Sequence, residues 1–267
     1  MTTRFSLAPA SFFFLVLVPI YWMIAVSLQK PDSLAGSIQL VPADPTFSNF
    51  LFILTEPDWY WGYINALTYV SLNVAISVCV AIPAAYAFSR FRFVGHGLLF
   101  FLLLMFRMMV PAILLVPFVQ IFSALNMIDT YLAVALAHCF FSVPIAIWIL
   151  EGFISAIPVE VDESAKVDGF STFRFFGHIL LPMIAPGVAT AAFFCFMFSW
   201  VEFLLSNALT TIDVKPFGGI MTRVGSVMSG HIPLIAAAGV LGVVPGTIIA
   251  IALRRHLAQG FSLGRTN

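Results

Sequence analysis

Charge is the scarcest property of this chain. Only 9% of its 267 residues are Asp, Glu, Lys or Arg, against 61% hydrophobic. Soluble domains carry about 25% charged residues, so an ordinary water-soluble fold is excluded and the chain belongs in a membrane. Lysine is confined to Lys30, Lys166 and Lys215, and none of them follows a glycine. The phosphate-cradling pattern G-x-x-x-x-G-K-[ST] is therefore missing, and with it the usual means of holding ATP. Cys79, Cys139 and Cys195 lie in apolar stretches without metal spacing, and an odd count argues against a disulfide framework. His96, His138, His178, His231 and His256 are scattered, with no two at ligand spacing on one helix face. His138, inside an apolar run, reads as a satisfied core residue. No Ser–His–Asp order or pair of carboxylates converges in the apolar runs, which disfavours a membrane enzyme. Zero formal net charge gives no case for nucleic acid. Repeats of fixed period and inverted halves are not evident.

What is abundant is long apolar sequence. A membrane-crossing helix needs about 20 residues. Six candidate spans follow, at about 11–28, 64–88, 98–122, 131–150, 183–205 and 234–253. The first is read as an uncleaved anchor, although Ala25-Val26-Ser27 loosely mimics a cleavage site. Residues 29–63 form a polar and aromatic stretch that ends in Trp59, Tyr60, Trp61 and Tyr63, as expected at a membrane–water boundary. Residues 206–233 form a second outer loop, rich in Gly and Ser. Six spans put both termini on one side. That side holds Arg4, Arg90, Arg92, Lys166, Arg174, Arg254, Arg255 and Arg265; the other holds Lys30, Lys215 and Arg223. The positive-inside rule then sets both termini in the cytoplasm. Pro83, Pro111, Pro117, Pro144, Pro186 and Pro245 lie within spans, and each frees a backbone carbonyl. Broken helices at membrane depth are tolerated where protein or a water-filled cavity satisfies those groups, so the set points to a moving bundle.

One stretch stands apart. From Ile157 to Pro182 the chain reads IPVEVDESAKVDGFSTFRFFGHILLP and carries Glu160, Asp162, Glu163, Lys166, Asp168 and Arg174. Pro158 suits a first helical turn. Val159, Asp162, Glu163 and Lys166 follow at helical spacing. Gly169 suits a left-handed turn, and Ser171 or Thr172 are candidate caps for a second helix. The stretch predicts a helix–turn–helix elbow lying in water against the membrane.

This elbow resembles the cytoplasmic signature loop of ABC importer permeases, E-A-A-x-x-x-G followed by nine residues and I-x-L-P. Glu163, Ala165, Gly169, Ile179, Leu181 and Pro182 fall in register. Ser164 replaces the middle Ala, and Asp168 before the Gly is the form usual in carbohydrate-type permeases, the group of the maltose permease's second subunit. The resemblance extends over most of the chain. It implies an all-α membrane protein of the type I ABC importer permease fold, with six transmembrane helices and a cytoplasmic coupling elbow at 157–182. It also implies coupling to an ATPase through Glu163, Ala165, Asp168 and Gly169. The implied partners are a second permease subunit in a heterodimer, two ATP-binding subunits that hold ATP and Mg, and an extracytoplasmic solute-binding protein. Cofactors on this chain are not expected. The expected location is the bacterial plasma (inner) membrane, in contact with lipid. The implied mechanism is alternating access. A stand-alone secondary transporter or channel is the alternative, but it has no need of a docking elbow.

Solute-path candidates come from polar and aromatic residues near spans. Arg107 lies about 15 Å into the third span at 1.5 Å per residue. An Arg at that depth should face protein or water, so it is either part of a polar path or a contact to carbonyls near Pro111. Trp200-Val201-Glu202-Phe203 resembles the W-N-[ED]-F segment of carbohydrate-type permeases, with Val201 in place of the amide. A membrane-interface Trp beside a solvated Glu is the plainer reading. Asn65 and Tyr69 begin the second span at the level where the fifth ends. Asn65, Tyr69, Trp200, Glu202 and Phe203 therefore group at one depth. The tail RRHLAQGFSLGRTN resembles the end of polyol importers, glycerol among them. The expected solute is thus a small neutral polyol such as glycerol, then a sugar, with glycerol 3-phosphate third because the ring holds no Lys or Arg.

Overall fold

The structure is a computed structural model that describes residues 7–30, 41–42, 44–227 and 232–263. Arg4, His231 and Arg265, and the last residues of the tail pattern, lie outside them. So do the side chains of Arg223 and His256. The described chain is helical: α1 (Leu7–Ser27), α2 (Ser48–Thr55), α3 (Pro57–Arg90), α4 (His96–Met108), α5 (Pro111–Ala124), α6 (Tyr131–Ser155), α7 (Val159–Val167), α8 (Thr172–Phe175), α9 (Leu181–Met183), α10 (Ala185–Val201), α11 (Leu204–Ala208), α12 (Phe217–Val227) and α13 (Ile232–Leu263). A widened π turn over Phe176–Leu180 joins α8 to α9.

Among the described residues α3, α6 and α13 are long and apolar enough to cross a membrane. The third expected span is a bent pair rather than a straight helix, and the fifth joins the elbow's second helix at a bend. The α4–α5 pair turns by 94° and Thr172–Met183 meets α10 at 81°. If each bent pair is one crossing, there are up to five among the described residues, and Leu17–Ser27 of α1 is a shorter apolar stretch. The breaks fall where proline stands at a helix start. Pro111 opens α5, and Pro186 lies in the first turn of α10. There a missing N–H costs no helical bond. Pro83, Pro117, Pro144 and Pro245 instead lie inside α3, α5, α6 and α13, which continue through them. Two of the expected loops also hold helices. α2 and the first turns of α3 occupy part of 29–63, and α11 and α12 occupy part of 206–233.

The chain divides into two compact units, with boundaries inside α3, just before α12 and inside α13. In the smaller unit, Ile53, Trp59, Phe217, Ile220, Leu234, Ala237 and Ala238 form the core. Phe217 stacks on Tyr63 at 3.8 Å and meets Trp59 edge-on. Asn49 joins α2 to the end of α1, donating to the carbonyls of Ser27 and Gln29. In the larger unit α6 packs chiefly on α10 and α4. One core there gathers Ala81, Ala85, Ile147, Leu150, Ala165, Phe175 and Ile184 around the elbow. A second gathers Tyr69, Val70, Phe122, Val134 and Phe196 near the opposite ends of the same helices.

Candidate functional site

The elbow is built as the residue types require. Pro158 caps α7, one position before the helical turn where the sequence reading put it. The helix then ends in a paired set of hydrogen bonds. The Gly169 N–H donates to the Lys166 carbonyl at 3.1 Å and the Phe170 N–H to the Ala165 carbonyl at 3.0 Å. This is the Schellman arrangement, which needs a left-handed residue after the cap. Gly169 supplies it at φ +77°. A Cβ at Gly169 would meet nothing within 4 Å, so backbone conformation and not space demands glycine here. Asp168 is the helix-ending residue. Ser171 stands at the start of α8 as expected, but with no side-chain hydrogen bond to it.

The two faces of α7 differ. Asp162 and Ala165, three residues apart, are buried. Glu160, Glu163, Ser164, Lys166, Val167 and Asp168 are exposed. Phe173 on α8 is 92% exposed, the largest exposed aromatic surface of the elbow. Arg174 covers the Phe170 ring at 4.9 Å. The elbow carries four acidic residues against Lys166 and Arg174. Part of that negative excess is balanced within the chain, because the Asp162 carboxylate meets Arg90 at 2.9 Å. Asp162, Arg90 and Tyr86 were missed in the sequence. The available signal was the i, i+3 spacing of Asp162 and Ala165, which puts both on one helix face.

At the other end of α10 the structure brings Glu202 and Tyr69 together around His138. Glu202 is 9% exposed, not solvated as the plainer reading had it. Its carboxylate accepts the N–H groups of Leu204, Leu205 and Ser206 at 2.9 to 3.3 Å. It thereby holds the break between α10 and α11, supplying partners to the free donors of a helix start. His138 Nε2 lies 3.0 Å from Glu202 Oε2, and Nδ1 lies 2.6 Å from Ser199 Oγ. A neutral ring with its proton on Nε2 satisfies both contacts, donating to the carboxylate and accepting from the hydroxyl. The Tyr69 ring meets His138 edge-on at 5.8 Å. His138 is thus the satisfied core histidine that was expected. The converging Ser199, His138 and Glu202 were not expected. Depth could have shown them, since His138 and Glu202 fall within about 10 Å of the same ends of spans four and five at 1.5 Å per residue. Neither Ser199 nor His138 has exposed surface, so this trio is closed to a substrate.

The other candidates occupy varied surroundings. Asn65 is buried, donating to the carbonyls of Asp213 and Lys215 and accepting from the Tyr131 hydroxyl at 2.8 Å. It therefore fastens the 211–216 loop to α3 and α6. Trp200 stacks on Phe196 at 5.7 Å, while Val201 and Phe203 are exposed. Arg107 is in the last turn of α4, with its guanidinium 4.7 Å from the Phe198 ring centre. Arg107 thus lies against that ring. Asp129 is a further anchor that sequence reasoning missed. It adopts φ 63° and accepts hydrogen bonds from the N–H groups of Thr211, Ile212, Asp213 and Val214 and from the Thr211 hydroxyl. Burial pushes its carboxyl pKa up, but those bonds outweigh burial and hold it below the usual range. Among the described residues no cluster of His, Cys, Asp and Glu could hold a metal.

A helical membrane subunit with a glycine-turned elbow and broken spans is the architecture of a transport permease. The family model for the binding-protein-dependent transport system inner membrane component matches residues 77–263, and the chain belongs to that family. It is 30% identical to the galactooligosaccharides transport system permease protein GanQ of Bacillus subtilis, over 94% of this chain and 90% of that one. It is 28% identical to the trehalose transport system permease protein SugB of Mycobacterium tuberculosis, over 93% and 91%. A chain of a bacterial ABC transporter involved in the import of alginate shares the fold, at a TM-score of 0.77 and 18% identity over 93% of each chain. The chain is therefore a permease subunit, a non-enzymatic inner-membrane component of an ABC importer.

Proposed function

We propose that this subunit forms half of the translocation path of an importer for a sugar or short oligosaccharide. The observation that carries the solute class is similarity over more than nine-tenths of the chain to permeases named for galactooligosaccharides, trehalose and trehalose/maltose. Glycerol, the first choice from the tail, is not the solute that these permeases are named for. The tail pattern ends at Gly264, outside the described residues.

In this reading the exposed face of α7, with Glu163 and Asp168, docks into a groove on an ATP-binding subunit that supplies ATP and Mg. Glu163 meets Arg or Lys there as a charge-assisted pair. Ala165 is small because it is where α7 packs on the core, and Gly169 sets the angle of the turn. The α4–α5 corner supports a second permease partner. α4 has no buried residue, and Leu98, Phe101, Met105 and Met108 are exposed. A solute-binding protein docks on the outer loops, and both termini are cytoplasmic. Phe203, Trp200 and Arg107 remain the path candidates with accessible surface. Asn65, Tyr69 and Glu202 act behind them by shaping the wall. Uptake of radiolabelled trehalose, a galactooligosaccharide and glycerol by vesicles containing the assembled complex tests the reading. ATP-dependent uptake of either sugar is expected. Uptake of glycerol alone would refute the solute class.

A further inference from the structure

The C-terminal end of α3 is tied to α7 by three side chains. Arg90, the last residue of α3, donates from Nε to Asp162 Oδ2 at 2.9 Å and from Nη2 to the Ile157 carbonyl at 3.0 Å. Tyr86, one turn earlier, donates to Asp162 Oδ1 at 2.7 Å. Both carboxylate oxygens are thus engaged from one helix. The Arg90 and Asp162 side chains are only 8% and 6% exposed. The Tyr86 ring also meets Phe176 at 4.9 Å and Phe175 at 6.0 Å, both edge-on, so the residues after the Gly169 turn join the same cluster.

Burying an ion pair is a poor way to gain stability, because desolvation costs several kcal/mol per ion. Its distinctive property is direction. The apolar contact of Ala165 with its core can slide, since dispersion has little angular preference. A carboxylate held at both oxygens cannot slide without separating charges in apolar surroundings. A displacement applied to the exposed face of α7 therefore reaches α3 through Asp162. We infer that Tyr86, Asp162 and Arg90 form a positioning joint that makes α7 and the end of α3 move as one body, and so ties ATP hydrolysis on a partner to opening of the path. This rests on the importer reading above.

The test uses the assembled complex with its ATP-binding, second permease and binding-protein partners. Spin labels go on Arg92→Cys and Val159→Cys, both exposed positions, with Cys79→Ser. With the joint intact, one narrow distance is expected, unchanged by ATP and vanadate. In Asp162→Asn that distance should broaden and shift with nucleotide. Hydrolysis should continue while trehalose uptake per ATP falls severalfold, because α7 can then move without carrying the end of α3 with it. The exchange Arg90→Asp with Asp162→Arg should restore the narrow distance and part of the ratio, which a loss of folding would not allow. A narrow, nucleotide-independent distance in Asp162→Asn, within a complex that hydrolyses ATP, would overturn the joint alone. Failure of the unsubstituted complex to drive uptake of trehalose or a galactooligosaccharide while it hydrolyses ATP would overturn the sugar-importer reading and the coupling role with it.

Discussion

Glu202→Gln separates a structural role for this residue from direct solute recognition. In the wild type, Oε1 serves the N–H groups of Leu204 and Leu205, and Oε2 serves those of Leu205 and Ser206 together with His138. The amide can present only one oxygen. If its nitrogen replaces Oε1, the Leu204 donor is orphaned; if it replaces Oε2, the Ser206 donor loses its partner and the His138 contact has to reorganise. In either case the new NH2 group points at other donors. A buried unsatisfied donor costs about 1–3 kcal/mol, more where charge is involved. One orphaned N–H plus one misplaced NH2 therefore costs about 3–5 kcal/mol. For a chain of this size each kcal/mol moves the melting temperature by about 2–4 °C, so a fall of roughly 10 °C is expected in detergent. The double variant with His138→Ala should fall by less than the sum, because the two residues share one contact. Fluorescence-monitored melting of the purified subunit reads both. A Glu202→Gln chain that melts like the wild type but needs much more solute for half-maximal uptake would refute the structural reading and make Glu202 a solute contact.

Gly169→Ala should lower stability by about 1 kcal/mol, because φ is left-handed there although space is open. Gly169→Val should cost more, and normal uptake by a stably inserted Gly169→Val chain would show the turn to be dispensable. Gly187→Ala meets a different obstacle, since its Cβ would lie 2.6 Å from the Phe153 ring; the ring has to shift, and Phe153→Ala in the same chain should recover part of the lost thermal stability. Asp129 titrates from a depressed pKa, so its stabilising effect is fully present above the ordinary aspartate value of about 4 and is lost as pH falls through the lower folded value. The melting-temperature gap between wild type and Asp129→Asn should therefore be flat from about pH 5 to 8 and shrink in acid. A gap that widened in acid would contradict the geometry.

The sequence by itself determined the class of the protein and the elbow. Its shortage of charge forced the chain into a membrane, because about one charged residue in four is the norm in water. Gly169 was legible because a left-handed turn after a helix leaves few other residue types free of strain. The length of the apolar runs likewise pointed to membrane spans. What the sequence did not show was which prolines break a helix. Pro111 and Pro186 stand at breaks whereas Pro83, Pro117, Pro144 and Pro245 do not, and the difference lies in position within the finished helix. The pairing of Asp162 with Arg90, of Glu202 with His138, and of Asp129 with 211–214 also waited for tertiary structure. Each joins residues more than 60 positions apart. Local pattern shows that a polar group is buried or exposed at best. Which partner satisfies it depends on how separate helices pack, and only the folded chain settles that.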